Sequence, residues 1–151
     1  MQNSTIQFYI KKFEALSIHE LYGILKLRSV VFVVEQNCVY QDIDDKDSKA
    51  LHLIGTIDNS IVAYSRLFKP QDYFENACIG RVVIDPNYRA RKWGHLLIQK
   101  GIEGIKHHFN ETKITISAQL YLQKFYESNG FVKTSEVYLE DGIDHIEMKI
   151  K

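Results

Sequence analysis

The sequence predicts one α/β domain, with a mixed, mostly antiparallel central sheet and helices on both faces. Its 151 residues suit a single domain over residues 1–151, and 45% apolar with 25% charged residues is ordinary for a soluble globular protein. Short runs rich in β-branched residues alternate with segments of helical periodicity. Two tight-turn signals join neighbouring runs, and such hairpins make the paired strands antiparallel.

The first helix is predicted from a capping box that begins at Ser17. The serine hydroxyl can satisfy an amide of the first turn, and Glu20 can reach back to the Ser17 amide. A helical apolar face follows at Ile18, Leu21, Leu25 and Phe32.

The middle of the chain is predicted to form strands. Segments 51–54 and 61–67 flank Asp58-Asn59-Ser60, which is a hairpin turn signal. The run 79–84 reads as a further strand. Asp85-Pro86 ends it, because proline cannot donate to a strand ladder.

The last third is predicted to contain a short strand at 114–116 and a helix at 122–129. Gly130 can end that helix in a left-handed conformation. A final hairpin is predicted to turn at Glu140-Asp141-Gly142.

Cations cluster in the turn that follows the 79–84 strand. After Gly94, apolar residues recur at helical spacing, so the turn leads into a helix. A helix start presents unpaired amide protons and the positive end of the helix dipole, which suits a phosphate, and Arg89, Arg91 and Lys92 add charge there. We predict an anion cradle for a phosphorylated cofactor, although charge alone would equally fit a solvated basic turn.

Several motifs together resemble the GCN5-related N-acetyltransferase (GNAT) superfamily. Arg89-x-x-Lys92-x-Gly94 resembles its Gln/Arg-x-x-Gly-x-Gly/Ala acetyl-CoA signature, and Tyr126-x-x-x-Gly130-Phe131 resembles its Tyr-x-x-x-Gly-Phe element. More narrowly, segments 27–36, 79–83, 118–119 and 138–148 are similar to the ElaA-like subgroup. Lys92 replaces the signature's middle glycine, and Gln119 stands where many members have asparagine.

The resemblance implies a GNAT-like sheet in which strand 82–84 splays from its neighbour, with acetyl-CoA as cosubstrate. It implies that the Val83 amide stabilises the oxygen of the tetrahedral intermediate and that Tyr126 protonates the leaving thiolate. The residues implied to bind the cofactor are Val82, Val83, Ile84, Arg89, Ala90, Arg91, Lys92, Trp93, Gly94, His95, Gln119, Phe125 and Tyr126.

Acyl transfer to an amine also needs a base, because only a neutral amine attacks a thioester. A lysine-like amine with a pKa near 10.4 is neutral only about once in 2,500 molecules at pH 7. Glu35 and His145 are the catalytic candidates, but His145 would equally fit an ordinary edge-strand histidine, and Glu147 is a further candidate base. The candidates for substrate binding are Arg28, Glu35, His52, Arg81, Glu140 and His145.

Charge is balanced overall, with 19 basic and 19 acidic residues, but it is unevenly spread. Segment 89–106 is rich in Lys and Arg, whereas segments 35–47 and 136–147 are rich in Asp and Glu. This distribution suits a phosphorylated cofactor and an amine substrate, either a small molecule or an exposed peptide amine. Solvated acidic loops would give the same pattern.

Other partners find no support in the sequence. The balanced charge gives no argument for nucleic acid, and without an 18-residue apolar run or a leader we expect a cytoplasmic protein with no membrane partner. The histidines lack metal-ligand spacing, so no metal is expected. Cys38 and Cys78 are expected to be free, buried thiols. A homodimer is left open.

The predicted function is an acetyl-CoA-dependent N-acetyltransferase that acts by direct attack of the amine on the thioester. Two alternatives stay open. The segment from Arg28 to Glu35 faintly resembles acyl-homoserine-lactone synthases, which would mean another acyl donor or acceptor. Lys92 would also suit a CoA-binding sensor without turnover. We predict a helical φ at Lys92, as for a residue in the first turn of a helix.

Overall fold

The computed structural model describes residues 5–150, so both ends of the predicted 1–151 domain lie outside the described residues. Three α-helices are described, α1 (Ile18–Arg28), α2 (Trp93–Phe109) and α3 (Gln123–Glu127), and a π-helical segment (Ser29–Glu35) continues α1. The strands are β1 (Gln7–Lys12), β2 (Leu51–Ile57), β3 (Ser60–Phe68), β4 (Ala77–Ile84), β5 (Ile114–Gln119), β6 (Val132–Lys133), β7 (Tyr138–Glu140) and β8 (Ile143–Ile150).

One sheet contains all eight of these strands, in the order β1-β2-β3-β4-β5-β8-β6, with β7 paired to β8. Every pairing is antiparallel except that of β4 with β5. The parallel pair is held only by Ala77 with Ile114 and Cys78 with Thr115. Beyond these residues the two strands are not paired, which leaves a gap between them. The predicted mixed, mostly antiparallel sheet is confirmed.

The two long helices cover opposite faces of the sheet. Leu53 of β2 and Leu67 of β3 pack in one apolar core with the buried face of α2. Ile54 and Tyr64, from the same two strands, pack in a second core with α1. Alternate residues of a strand point to opposite faces, so the prediction of helices on both faces is confirmed.

A β-bulge at Arg81 reverses the alternation within β4. Ile79, before the bulge, lies in the α2 core, whereas beyond it Val83 lies in the α1 core and Val82 contacts the α2 core. The pairing with β3 shifts at this point, and Arg81 takes a left-handed φ of 51°. An extra residue moves every later side chain to the other face, which turns the second half of β4 along the gap.

Local turn and cap predictions are confirmed. Ser17 and Glu20 form both bonds of the capping box, and Gly130 has a φ of 97°. The two hairpins turn on residue pairs of positive φ, Asp58-Asn59 and Asp141-Gly142.

The predicted apolar face of α1 is wrong at Ile18, which is 80% exposed. The apolar side chains that α1 and its π-helical continuation bury belong to Ile24, Leu27 and Val31. Six residues separate Ile18 from Ile24, which is about 240° around a helix, so Ile18 faces away from the sheet.

Buried ion pairs tie the acidic segment 42–47 to three arginines from α1, β3 and β4. The bonds join Arg28 to Asp42 (2.9 Å) and Asp47 (2.8 Å), Arg66 to Asp44 (2.5 Å) and Asp47 (3.0 Å), and Arg81 to Asp42 (2.7 Å) and Asp44 (3.4 Å). Burial opposes ionisation of Asp47, but the hydrogen bonds and charges of Arg28 and Arg66 together outweigh it, so the pKa of Asp47 is lowered. These carboxylates neutralise buried cations and are not solvated loop charges.

Replacing one central carboxylate should destabilise the fold strongly. We expect Asp47→Asn to lower the free energy of unfolding by about 3–5 kcal/mol, because two buried guanidinium groups then share an uncharged partner. Chemical denaturation measures this loss. Asp45→Asn is the matched control, since Asp45 is exposed and asparagine tolerates its left-handed φ of 64°. Equal stability of the two variants would contradict the argument.

Candidate active site

A cavity of about 680 Å³ lies in the gap between β4 and β5, within the size range of small-molecule sites. It is also bordered by the π-helical segment, the start of α2, α3 and the β7–β8 hairpin. The predicted residues that line it are Glu35, Arg81, Val82, Val83, Ile84, Arg89, Lys92, Gly94, His95, Gln119, Phe125, Tyr126, Glu140 and His145.

Other predicted residues lie outside this cavity. Arg28 is fully buried in its ion pairs, and His52 is held between the Tyr64 hydroxyl (2.6 Å) and the Asp47 carbonyl (2.9 Å). Burial lowers the pKa of His52, as expected for a core histidine. Direct contact of Arg28 or His52 with a substrate is therefore not proposed. The remaining predicted residues outside the cavity are Ala90, Arg91, Trp93 and Glu147.

The start of α2 forms one end of the cavity. Lys92 is the N-cap residue and its side chain makes no capping bond, and Lys92, Gly94 and His95 line the cavity. The first amide protons of an uncapped helix need acceptors and favour an anion. Arg91 packs over the rings of Tyr88 and Trp93, at 5.1 and 5.2 Å, and does not line the cavity.

The prediction of a helical φ at Lys92 is wrong. Lys92 has φ 60° and ψ 22°, which is the left-handed region. The chain ends a 3₁₀ helix (Pro86–Arg91) immediately before Lys92 and starts α2 immediately after it. A left-handed residue between the two helices breaks the first and re-aims the second. Glycine, the signature residue, meets this requirement without the steric strain that lysine bears.

Lys92→Gly and Lys92→Ala should therefore differ in stability although both remove the same charge. We expect Lys92→Gly to melt higher than Lys92→Ala by an equivalent of about 1 kcal/mol, because only alanine keeps the left-handed strain. Thermal denaturation of the two variants measures this difference. Equal melting temperatures would show that the turn is not strained in solution.

Arg89 spans the mouth of the cavity to Glu35. Its guanidinium donates to both carboxylate oxygens, at 2.8 and 2.5 Å, and this bond lowers the pKa of Glu35. A second bridge joins the side-chain amides of Gln36 and Gln119 at 3.1 and 3.2 Å. The end of the π-helical segment is thus tied to both sides of the gap.

Tyr126 presents a phenol to the cavity from an apolar setting. Its ring packs edge-on against Phe125 and Phe131, at centroid distances of 5.1 and 5.9 Å. Burial raises the pKa of Tyr126 well above its usual value. Its hydroxyl donates to no side chain or carbonyl within residues 5–150. Such a phenol keeps its proton at neutral pH and has it available for a bound molecule.

The β7–β8 hairpin brings His145 and Glu140 to the other end of the cavity. His145 Nδ1 lies 2.7 Å from the carbonyl of Ile143, which can only accept, so Nδ1 carries the proton. The other ring nitrogen, Nε2, faces Glu140 Oε2 at 3.3 Å, and the two groups form an ion pair whenever the ring carries a second proton.

Ser117 holds Glu140 in place beside His145. Its hydroxyl donates to Glu140 Oε1 at 3.1 Å and is then free to accept only from the Tyr138 hydroxyl, at 2.5 Å. Glu140 is thus held by Ser117 through one oxygen and presents the other to His145 Nε2.

Sequence reasoning missed several cavity residues. Gln36 lies in segment 27–36, and the similarity of this segment to the ElaA-like subgroup was a usable signal. Cys38 and Tyr40 lie in a stretch without regular secondary structure and gave none. Cys38 and Cys78 are both free, as expected, but only Cys78 is buried.

Within residues 5–150, no group of three or more His, Cys, Asp or Glu side chains is arranged to hold a metal ion. In the same range, no helix is both long and apolar enough to cross a bilayer.

Residues 23–151 match the model of the acetyltransferase (GNAT) domain family. ElaA of Escherichia coli K12 is 45% identical over 135 residues, which is 88% of each chain, and its crystal structure superposes with a TM-score of 0.90 over 97% of this chain and 100% of that one. An acyl-CoA N-acyltransferase from Pseudomonas aeruginosa is 38% identical over the same shares, with a TM-score of 0.92.

The AHL synthase LasI shares the fold alone, at 12% identity and a TM-score of 0.71 over 98% of this chain and 90% of that one. The family model, ElaA and the Pseudomonas aeruginosa acyltransferase decide the family instead, because they share sequence with this chain as well as the fold. The chain therefore belongs to the GNAT acetyltransferase family, whose members use an acyl-CoA as cosubstrate, and within that family to the ElaA-like subgroup.

Proposed function

We propose that the protein is a single-domain N-acetyltransferase, over residues 1–151, that moves an acetyl group from acetyl-CoA to an amine by direct attack. One observation carries the proposal. One cavity has an uncapped helix start at one end and, at the other, the buried His145 beside the carboxylate of Glu140.

The residues around the helix start suit acetyl-CoA. The amides that open α2 can accept the pyrophosphate, with Lys92 adding positive charge, and β4 beyond Cys78 has no strand partner on its β5 side. Backbone groups along that free edge, including Val83, can pair with an extended amide-containing chain. When bound, acetyl-CoA supplies an activated acyl group on a thiol that can leave.

His145 is the proposed general base, with Glu140 orienting it and stabilising the charge that it gains. An arriving ammonium group meets the lone pair of Nε2 and can deliver its proton there. Glu140 then faces an imidazolium and stabilises it as an ion pair. Tyr126 is the proposed general acid, since burial keeps its phenol protonated.

Two other functions are weaker. A sensor without turnover would need a cavity that binds CoA but offers no proton acceptor, and the His145–Glu140 pair argues against it. Another acyl donor would also fit the cavity, so donor choice belongs in the test. A cytoplasmic location and a homodimer remain predictions of the sequence.

The test is thiol release from acetyl-CoA in the presence of a panel of primary amines. We expect turnover that His145→Gln reduces about 100- to 10,000-fold, with loss of the acidic limb of the kcat/KM pH profile. Asp144→Asn, an exposed change in the same strand, should leave the rate unchanged. Binding of CoA without thiol release for any amine would favour the sensor, and release only from acyl-carrier-protein thioesters would favour the other donor.

A further inference from the structure

The charged side chains of the cavity separate into neutralised and free groups. Glu35 and Arg89 neutralise each other, and Arg81 is taken up by the buried carboxylates of Asp42 and Asp44. None of these paired groups offers a free charge to a ligand.

The remaining charges lie at opposite ends. Lys92 is at the start of α2, whereas Glu140 and Asp141 are on the β7–β8 hairpin. Among residues 5–150, Asp141 has no ion-pair partner, and the only group that Glu140 could pair with is His145 if that ring were charged. The end of the cavity at the β7–β8 hairpin therefore has a surplus of negative charge.

A second observation points the same way. His145 is only 6% exposed, and its Nε2 atom meets no donor from the described part of the chain. Since the Ile143 carbonyl and the Glu140 carboxylate surround this ring with acceptor oxygens, this end of the cavity suits a group that brings N–H donors and positive charge together. A carboxylate in this place would bring a third negative group and no donor.

We propose that the acceptors are cationic amines that carry no carboxylate, with an ammonium group at His145 and Glu140 and a further positive charge favoured by Asp141. Aliphatic diamines are of this class, and free amino acids are not. This inference rests on the proposed function, because it concerns the acceptor of that same reaction.

Three acceptors that differ only at one carbon test it. Lysine carries an α-carboxylate, lysinamide replaces it with a neutral amide of similar size, and 1,5-diaminopentane lacks it. We expect kcat/KM to be at least tenfold higher for lysinamide and 1,5-diaminopentane than for lysine. Asp141→Asn should shrink this ratio, and added salt should shrink it too. Asparagine tolerates the φ of 53° at Asp141, and Asp144→Asn, outside the cavity, is the control.

Calorimetry can measure the binding of the same three amines with and without CoA. This measurement separates the inference from the proposed function. Tighter binding of lysinamide and 1,5-diaminopentane than of lysine supports the charge preference even if no thiol is released. Equal binding and equal turnover of lysine would overturn the inference and leave the acetyltransferase proposal intact. Absence of thiol release with preserved binding order would overturn the proposed function instead.

Discussion

Tyr126→Phe should lower kcat about 100- to 10,000-fold while CoA affinity changes little. Phenylalanine keeps the ring contacts with Phe125 and Phe131 and removes only a hydroxyl that has no partner within residues 5–150. The variant should therefore fold normally but lack the proton that the leaving thiolate takes. Steady-state kinetics and calorimetry with CoA measure the two effects separately.

Tyr121→Phe is the matched control for this change. Tyr121 lines the same cavity, but it is 72% exposed and keeps its hydroxyl in solvent. We expect its kcat to stay within a few-fold of the unmodified protein. If Tyr126→Phe turned over at the full rate from pH 6 to 9, the thiolate would have to leave unaided or take its proton from another group.

Gly94→Glu should abolish measurable CoA binding and leave the fold intact. Gly94 is in the first turn of α2, where a glutamate carboxylate can accept from the free amides and so occupy the anion site itself. The change also replaces glycine by a better helix former, which supports the helix. Calorimetry with CoA measures the loss, and circular dichroism checks the fold.

Gly94→Gln separates charge from bulk in this experiment. A Cβ atom at this position would lie 3.3 Å from the Phe125 ring. Both variants therefore require the same small shift of that ring. We expect Gly94→Gln to bind CoA more weakly than the unmodified protein but more tightly than Gly94→Glu. A folded Gly94→Glu protein with unchanged affinity would remove the start of α2 from the site.

Features that depend on adjacent residues could be predicted from the sequence. The capping box at Ser17 and the turn at Asp58-Asn59 each involve groups a few residues apart, so local chemistry decides them. The uncapped helix start after Lys92 is local in the same sense, but the pairing of Arg89 with Glu35 joins residues 54 apart and was not predicted.

Features that depend on contacts between distant residues could not be predicted from the sequence. Arg28 and Asp47 are 19 residues apart, and only the folded chain shows that the arginine serves the aspartates instead of a substrate. Arg81 and Lys92 have left-handed φ values, which residues with long side chains rarely adopt. Sequence propensity therefore predicts a negative φ at each of these two positions. Tertiary packing imposes these conformations.

The ion pairs of segment 42–47 also bear on the order in which the molecule assembles. This segment has little regular secondary structure, and its carboxylates find partners 14 to 39 residues away, on α1, β3 and β4. It cannot become ordered until those three elements have docked, because loop closure precedes any gain from its contacts. Tyr40, at the edge of the same loop, belongs to the cavity wall. The wall on this side is thus completed late in folding, and its amides should exchange with solvent faster than those of β2 and β3.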